Sequence, residues 1–285
     1  MGVFKVAAVQ MRSGESPERN AADMEILVRE AAAKGATYVQ TPEMTGAMVR
    51  EKQTRDALFV SEDRDVIVKA ARRLAAELGI FLHIGSTAIR RPDGKVANRA
   101  LVFSPKGEIL AIYDKIHMFD VDLDHGESWR ESDGYEPGSQ AVIAEIDGVK
   151  FGMAICYDLR FPQLFRAESL AGAQVLTVPA AFTRQTGEAH WHVLLRARAI
   201  ENGAFVIAAA QGGLHEDGRE TYGHSLIVDP WGRILAQADH DQPGVIVAEI
   251  DPAQSALARG KIPNLKNSRE FTLVKASEKA ERVEP

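Results

Sequence analysis

Residues 151–162 decide the fold of this chain, and they read Phe-Gly-Met-Ala-Ile-Cys-Tyr-Asp-Leu-Arg-Phe-Pro. Residues 149–155 are apolar almost throughout, which is typical of a β-strand that is covered on both faces. From Arg160 onward the apolar residues recur at helical spacing, and Pro162 suits the first turn of a helix. Cys156 is therefore predicted at the junction of a buried strand and a helix, beside free backbone N–H groups.

Cys156 is the only cysteine of the chain, and it has two interpretations. A single cysteine next to an apolar strand is more often a small buried hydrophobic residue than a catalytic group. The junction of a strand and a helix is nevertheless a good place for a nucleophile, because the side chain is held rigidly close to backbone donors. Composition favours the packing role, so the decision depends on the rest of the sequence.

The composition is that of an ordinary soluble globular protein, with 45% hydrophobic and 26% charged residues in a chain of 285. The net charge is −6 and the basic residues are dispersed, so nucleic acid is not an expected partner. A single cysteine excludes an intrachain disulfide framework and fits a reducing cytoplasm. We find neither a signal peptide nor an apolar run of membrane-spanning length, so we expect a cytoplasmic protein without a membrane partner.

The order of the predicted elements favours a layered α/β sandwich with mixed sheets. Helices are predicted over 18–34, 65–78, 161–171 and 187–202, and the strands between them are partly joined by hairpins, as at Asp147-Gly148. Residues 119–138 lack a clear period and are predicted as a long loop. We expect a single domain over 1–276, followed by a loose, charged C-terminal tail over 277–285.

Three predicted strands each end next to a chemically active side chain, namely Glu43, Lys115 and Cys156. Taken alone, Glu43 could be a solvated loop residue, and Lys115 could form a surface ion pair with Asp114. Strands that end on the same side of a sheet would bring all three side chains together. A carboxylate, an ammonium group and a thiol at one place would form a site for nucleophilic catalysis.

The sequences around these residues resemble the signature of the nitrilase superfamily, the thiol-dependent carbon–nitrogen hydrolases. The matching pieces are Thr41-Pro42-Glu43, residues 113–120 (Tyr-Asp-Lys-Ile-His-Met-Phe-Asp) and residues 155–162 (Ile-Cys-Tyr-Asp-Leu-Arg-Phe-Pro). The resemblance extends over residues 3–251 and implies a four-layer α-β-β-α sandwich of two mixed sheets. It also favours the catalytic interpretation of Cys156.

The resemblance implies a role for each site residue. Glu43 would be the general base that takes the proton of the Cys156 thiol, and Lys115 and the backbone N–H of Tyr157 would stabilise the negative charge on the carbonyl oxygen. Cleavage would pass through a thioester on Cys156 and needs no cofactor. Glu131 matches a second glutamate that positions the lysine and the substrate; alternatively, it is an ordinary loop carboxylate.

The C-terminal half indicates a branch of the family and a substrate. Residues 186–191 and 194–202 resemble the branch that contains the deaminated glutathione amidases and the omega-amidases. Residues 208–211, His215 and residues 221–225 look more like the deaminated glutathione amidases. The first activity would release α-ketoglutarate and Cys-Gly from a small anionic amide. Arg160, Arg184 and His190 are candidates for binding its carboxylates. Arg160 could instead form a structural ion pair with Asp158 or another neighbour.

Several alternatives stay open from the sequence. An omega-amidase acting on α-ketoglutaramate, or another small-amide hydrolase that releases ammonia, would use the same three residues; hydrolysis of a nitrile fits the C-terminal motifs less well. A non-catalytic, redox-sensing member of the family would not need Glu43 and Lys115. His190 and His192 lie two residues apart on a predicted helix, about 200° around its axis, so we predict no metal site. The resemblance also implies a homodimer or a higher homo-oligomer.

Overall fold

The structure is a computed structural model that describes residues 2–123 and 128–275. Its helices are α1 (Pro17–Ala33), α2 (Lys52–Leu58), α3 (Val66–Leu78), α4 (Pro162–Leu170), α5 (Arg184–Asn202) and α6 (Ala253–Lys261). Its strands are β1 (Phe4–Gln10), β2 (Tyr38–Gln40), β3 (Phe81–Arg90), β4 (Val96–Phe103), β5 (Ile109–Asp114), β6 (Asp120–Asp122), β7 (Ser128–Arg130), β8 (Val142–Ile146), β9 (Val149–Met153), β10 (Val175–Thr177), β11 (Phe205–Ala208), β12 (Gly212–Leu214), β13 (Glu220–Tyr222), β14 (Leu226–Val228), β15 (Ile234–Gln237) and β16 (Gly244–Ile250). Two short 3₁₀ turns, Glu131–Asp133 and Cys156–Arg160, complete the described elements.

Two six-stranded mixed sheets form the centre of the molecule. The first sheet has the order β16-β1-β2-β3-β4-β5, and the second has the order β15-β14-β11-β10-β9-β8. In the first sheet β1, β2 and β3 run parallel, and in the second β9, β10 and β11 do the same. The outer strands of both sheets are antiparallel to their neighbours.

The sheets pack face to face, with helices on their outer faces. Strand β1 shows how the sequence produces these layers, because successive side chains of a strand point to opposite faces. Val6 and Ala8 belong to the core between the sheets, whereas Ala7 and Val9 pack with residues of α1 and α3. On the far side, α4 and α5 cover the second sheet through side chains such as Leu195. The predicted α-β-β-α sandwich is confirmed.

Most of the predicted helices are present, with some shifted ends. Helix α3 begins after Asp65, whose side chain accepts a hydrogen bond from the Val68 N–H at 2.8 Å, and it ends at Gly79, whose φ of 65° is left-handed. Helix α5 begins at Arg184, three residues before its predicted start at Gly187. The early start escaped prediction because Thr183 caps the helix without a side-chain hydrogen bond.

The prediction of a loop over residues 119–138 was wrong. Strands β6 and β7 pair there as an antiparallel ribbon, and the 3₁₀ turn Glu131–Asp133 follows directly. Each strand of this ribbon has only three residues, which is too short for a period to be recognised in the sequence. Residues 124–127 of the predicted loop, and the predicted tail over 277–285, lie outside the described residues.

Three further features were missed by the sequence analysis: helix α2, the β12–β13 hairpin and helix α6. Helix α2 has no buried residue, so no apolar stripe marks it, and the hairpin strands have three residues each. Across residues 2–123 and 128–275, no helix is both long enough and apolar enough to cross a lipid bilayer.

Candidate active site

The three strand ends meet at one cavity, as the sequence predicts. Glu43 follows β2, Lys115 follows β5, and Cys156 follows β9 after two residues. All three side chains line a cavity of about 400 Å³. They are nearly inaccessible to solvent, with exposures of 4% for Glu43, 2% for Lys115 and 6% for Cys156. Neither alternative role of Glu43 and Lys115, on a solvated loop or in a surface ion pair, fits this burial.

Glu43 is held from three directions. Its Oε1 accepts hydrogen bonds from Lys115 Nζ at 2.7 Å and from Asn98 Nδ2 at 2.9 Å. Its Oε2 accepts the backbone N–H of Ala181 at 2.9 Å, and the carboxylate lies close enough to Cys156 to raise the pKa of its thiol. The base candidate is thus fixed in orientation beside the nucleophile candidate.

Glu131 shares the ammonium group of Lys115 with Glu43. Lys115 Nζ donates to Glu131 Oε1 at 2.9 Å and to Oε2 at 2.8 Å. Asn98 Nδ2 reaches Glu131 Oε1 at 3.0 Å, and the Phe119 N–H donates to Oε2 at 2.7 Å. Glu131 is therefore not an ordinary loop carboxylate, because it anchors the lysine from the 3₁₀ turn after the β6–β7 ribbon.

Asn98 is the residue of this cluster that the sequence analysis missed. It lies within β4, beside Arg99, and a buried amide is costly there unless it is hydrogen-bonded. That cost was the available signal, since a buried polar residue in a strand needs a partner. Its amide nitrogen bridges the two carboxylates.

Burial and neighbouring charges shift the pKa values of the cluster in a consistent way. Burial raises the pKa of the Cys156 thiol well above its usual value, and the adjacent Glu43 carboxylate adds to the rise. Burial is the largest effect on Glu43 and opposes its ionisation, but the positive charge of Lys115 and the hydrogen bonds to the carboxylate together outweigh it and lower the pKa of Glu43. Burial also opposes the charge of Lys115, and the carboxylates of Glu131 and Glu43 raise its pKa. The resting site holds a thiol, two carboxylates and an ammonium group.

The backbone at Cys156 is strained in a way that exposes its side chain to the cavity. Its φ is 50°, a left-handed value that non-glycine residues adopt uncommonly. The Cys156 N–H donates to the Pro179 carbonyl at 2.9 Å, and the 3₁₀ turn begins at the same residue. The N–H groups at the start of such a turn have no partner within it, and that of Tyr157 comes directly after the thiol.

Asp158 connects the lysine segment to the cysteine turn. Its fully buried carboxylate accepts hydrogen bonds from the Tyr113 hydroxyl at 2.6 Å and from the Ile155 N–H at 2.8 Å. It also accepts the His117 N–H at 3.1 Å and lies 2.6 Å from His117 Nδ1. The ring of His117 stacks on Phe161 with centroids 3.5 Å apart. One carboxylate thus fixes the segments on either side of Lys115 and Cys156.

The three predicted substrate-binding residues lie outside the lining of the cavity. Arg160 does not pair with Asp158; its guanidinium contacts His190 Nδ1 at 3.3 Å on the exposed surface. Arg184 forms exposed ion pairs with Glu188 at 3.1 Å and with Glu220. None of Arg160, Arg184 and His190 lines the cavity, so their predicted role is not carried into the proposed function.

Other cations line the cavity, and the sequence analysis missed them. Arg50 precedes α2, Arg55 lies within it, and Arg219 lies in the β12–β13 turn. The guanidinium groups of Arg50 and Arg219 lie 4.9 Å and 4.3 Å from the ring centroid of Trp129. Among residues 2–123 and 128–275, no group of three or more His, Cys, Asp or Glu side chains is placed to hold a metal ion.

This combination of an α-β-β-α sandwich with a buried Glu, Lys and Cys cluster defines the class of the protein. The Carbon-nitrogen hydrolase family matches residues 5–259, and the chain belongs to that family. The protein is therefore an enzyme that hydrolyses carbon–nitrogen bonds, and the predicted membership of the nitrilase superfamily is confirmed.

Individual relatives cover most of the chain. It is 39% identical over 268 residues to the deaminated glutathione amidase of Yersinia enterocolitica, covering 93% of this chain and 92% of that protein. Its fold is similar to that of the Caenorhabditis elegans NitFhit protein, with a TM-score of 0.87, 33% identity and coverage of 94% of this chain and 66% of that one. A mutant amidase from Nesterenkonia sp. AN1, with an acetamide group added covalently at its active-site cysteine, matches with a TM-score of 0.77 and 26% identity, covering 93% of this chain and 94% of that one.

Proposed function

We propose that this enzyme hydrolyses the amide bond of a small anionic substrate through a thioester on Cys156. The observation that carries the proposal is the position of Glu43, whose carboxylate accepts a hydrogen bond from Lys115 at 2.7 Å and lines the same cavity as the Cys156 thiol. A base beside a protonated nucleophile is what an attack on an amide requires, because a neutral thiol is a poor nucleophile.

In the first half of the reaction, Glu43 takes the thiol proton while Sγ of Cys156 bonds to the carbonyl carbon. The electron pair of the C=O bond moves to the oxygen, and Lys115 Nζ and the Tyr157 N–H stabilise the resulting charge. When the C=O bond re-forms, the C–N bond breaks, and the leaving nitrogen takes the proton from Glu43. An amine departs and a thioester remains.

In the second half, water attacks the thioester and Glu43 accepts a proton from it. The same donors stabilise the second tetrahedral intermediate. The C–S bond then breaks, the proton returns from Glu43 to the sulfur, and a carboxylic acid is released. The covalent adduct at the active-site cysteine of the Nesterenkonia amidase supports a cysteine nucleophile in this fold. The raised pKa of the Cys156 thiol fits a mechanism in which the proton leaves only as the bond to carbon forms.

For the substrate we propose deaminated glutathione, which would yield α-ketoglutarate and Cys-Gly. The support is the identity of 39% to an enzyme of that name across 93% of the chain. The second candidate is the omega-amidase reaction on α-ketoglutaramate, which the same catalytic residues would perform with ammonia as the leaving group. A homodimer and a cytoplasmic location stay predictions; the exposed Leu170, Val193 and Ile200 on α4 and α5 are compatible with pairing of subunits.

The substrate is tested by incubating the purified enzyme separately with deaminated glutathione and with α-ketoglutaramate, with acid quench and mass spectrometry. We expect Cys-Gly to be released much faster than ammonia. The reverse order would identify an omega-amidase. An acyl adduct on Cys156 with a different amide would leave the mechanism standing and replace the substrate.

The mechanism is tested by Glu43→Gln, which keeps the size of the side chain but removes the base. We expect turnover to fall by at least about 10³-fold while the folded structure is retained, because general acid–base catalysis and the activation of the thiol are both lost. Glu145→Gln, at an exposed position of β8, is the matched control and should leave turnover unchanged. Normal turnover in Glu43→Gln would overturn the mechanism.

A further inference from the structure

Three arginines form one side of the cavity and are not used by the mechanism. We call Arg50, Arg55 and Arg219 the arginine wall; all three line the cavity. They come from three segments that are distant in the sequence, namely the residues before α2, helix α2 itself and the β12–β13 turn. An arginine side chain has a high conformational entropy, so gathering three of them at one cavity is costly unless they have an anionic partner.

The charges around the cavity are unbalanced. Among the residues that the structure describes, its lining has six cationic side chains, Arg50, Lys52, Arg55, Lys115, Arg130 and Arg219, against three acidic ones, Glu43, Glu131 and Asp133. Both Glu43 and Glu131 are engaged by Lys115, and Arg130 is paired with Asp122. The formal excess of three positive charges therefore lies mainly with the arginine wall and Lys52.

The guanidinium groups of the wall have hydrogen-bond donors to spare. Within the described residues, the buried Nε atoms of Arg55 and Arg219 have no hydrogen-bond partner. Across the described ranges, Arg219 has an acidic contact with the buried side chain of Asp217 at 3.7 Å and Arg55 has one with Asp56 at 3.7 Å, both longer than a hydrogen bond. Arg219 Nη1 also lies 3.9 Å from the thioether sulfur of Met48. Buried donors in this state are costly, and a ligand that accepts from the same guanidinium groups would offset the cost.

The wall is also held in place by contacts other than close ion pairs. Trp129 lies against the guanidinium groups of both Arg50 and Arg219, an arrangement that fixes cations but leaves their edges free for an anion. Arg55 packs against the backbone at Gly134, where a Cβ would lie only 2.8 Å from the guanidinium carbon. A glycine at this position makes room for the arginine close to the turn that carries Glu131.

We propose that the arginine wall is the carboxylate-binding subsite of the enzyme, in which Arg219 and Arg55 bind a carboxylate of the amide substrate and Trp129 orients the guanidinium groups of Arg50 and Arg219. The identity of the substrate in this inference rests on the proposed function. The binding of an anion by the arginine wall does not depend on it. Planar guanidinium groups match carboxylates through paired hydrogen bonds. By holding the carboxylate end of the substrate, they would orient its amide carbonyl toward Cys156. The wall, rather than the exposed Arg160, Arg184 and His190, would select anionic substrates.

The kinetic test compares deaminated glutathione with its dimethyl ester, in which both carboxylates are neutral. We expect Arg219→Gln and Arg55→Gln each to lower kcat/KM for the acid by about 10- to 100-fold, the effect of losing a hydrogen bond to a charged group. The rate with the diester should change less than about 3-fold, and Arg219→Lys should recover part of the loss. Arg73→Gln, on the outer surface of α3 in ion pairs with Glu25 and Glu77, is the control. Equal losses with acid and ester, or none, would overturn the subsite.

A binding test separates this inference from the proposed function. Cys156→Ala cannot form a thioester, so deaminated glutathione can be titrated into it by calorimetry without turnover. We expect binding that weakens at least 10-fold when Arg219→Gln is added to Cys156→Ala. If the wild-type enzyme cleaves neither deaminated glutathione nor its diester but Cys156→Ala still binds the acid, the proposed substrate fails and the effect of Arg219→Gln on binding decides the subsite. Binding that Arg219→Gln does not weaken overturns the subsite alone, and absent binding counts against both the substrate and the subsite.

Discussion

The two sheets are built on the same plan, yet they contribute different groups to the cavity. Each has three parallel strands between antiparallel neighbours. The first sheet contributes the ionisable cluster, with Glu43 after β2, Asn98 in β4 and Lys115 after β5. The second contributes Cys156 after β9 and the Ala181 N–H beyond β10, so the site is complete only where the two sheets face each other.

Polar contacts across this seam hold the two contributions in register. The Ala181 N–H of the second sheet donates to Glu43 at 2.9 Å, and the Ala209 N–H donates to Gln40 Oε1 at 3.0 Å. Asp158, which follows strand β9 of the second sheet, accepts a hydrogen bond at 2.6 Å from the hydroxyl of Tyr113 in the first sheet. Apolar packing alone would allow the sheets to shift by small distances, whereas buried hydrogen bonds fix a single position.

The largest expected effect comes from Lys115→Met, which removes the only cation of the first sheet's cluster. Two carboxylates, Glu43 and Glu131, would then be buried without a counter-charge. We expect the free energy of unfolding to fall by about 3–5 kcal/mol and kcat to fall by roughly 10²- to 10³-fold. Urea unfolding and steady-state kinetics measure both quantities.

Lys95→Met is the matched control for that experiment. Lys95 pairs with Glu136 on the surface, where its side chain is half exposed, so its loss should change the unfolding free energy by less than about 1 kcal/mol. Similar small losses in Lys115→Met and Lys95→Met would contradict the view that the first sheet's contribution is a buried, interdependent charge cluster.

An intermediate effect is expected from Asp158→Asn, which weakens the connection between the sheets near the site. Asn has the shape of Asp but lacks the charge that the Tyr113 hydroxyl and the His117 ring nitrogen contact. We expect a loss of about 2 kcal/mol in the free energy of unfolding and of about 10-fold in kcat, with KM retained, because Asp158 positions Cys156 and does not touch substrate.

Asp229→Asn provides the comparison for Asp158→Asn. Asp229 is a buried carboxylate at the other end of the second sheet, where it accepts from the N–H groups of Trp231 and Arg233. This change should lower stability without changing kcat. A fall of kcat in both variants would mean that the second sheet transmits any destabilisation to the site, and Asp158 would lose its special role.

The remaining effect concerns the pH dependence of stability and the buried His83 of the first sheet. Burial lowers the pKa of His83 to about 3 from 6.5, while its Nδ1 lies 2.7 Å from the Tyr38 hydroxyl. Because the unfolded chain binds this proton near pH 6.5 and the folded chain does not, stability is lost as pH falls from about 6.5 towards about 3. The contribution is about 1.4 kcal/mol per pH unit in that window.

The measurement is the difference in unfolding free energy between the wild type and His83→Gln, taken from pH 7 to pH 5. Other histidines titrate in both proteins and cancel in the difference. We expect the variant to be less stable at pH 7 and to lose less stability on acidification. Parallel curves would show that His83 does not sense pH.

The sequence predicts one part of the site well because that part follows directly from the strands. Glu43, Lys115 and Cys156 each come soon after a buried strand, and the family signature covers all three stretches. Glu131 could be predicted only through the resemblance to the family. Its position depends on how the β6–β7 ribbon folds, and the sequence of this ribbon has no recognisable period.

The cavity wall could not be predicted for a physical reason. Arg50, Arg219 and Trp129 lie on irregular or very short elements, and they meet only through the three-dimensional packing of those elements. Arg160 illustrates the converse: it lies within the signature, but it does not line the cavity, and its guanidinium lies 3.3 Å from His190 Nδ1. Regular periodicity indicates where a strand ends, but not which surface side chains converge.

The raised pKa of the Cys156 thiol bears on how easily oxidants modify this residue. Peroxides attack the thiolate and scarcely the thiol, and oxidation beyond the sulfenic acid is irreversible in most proteins. Burial and the Glu43 carboxylate keep the sulfur protonated at rest, so the single cysteine is shielded from oxidants by the same groups that we propose activate it. Reactivity toward an electrophile then depends on proton transfer within the cavity, and the enzyme needs neither a resolving cysteine nor a disulfide for protection.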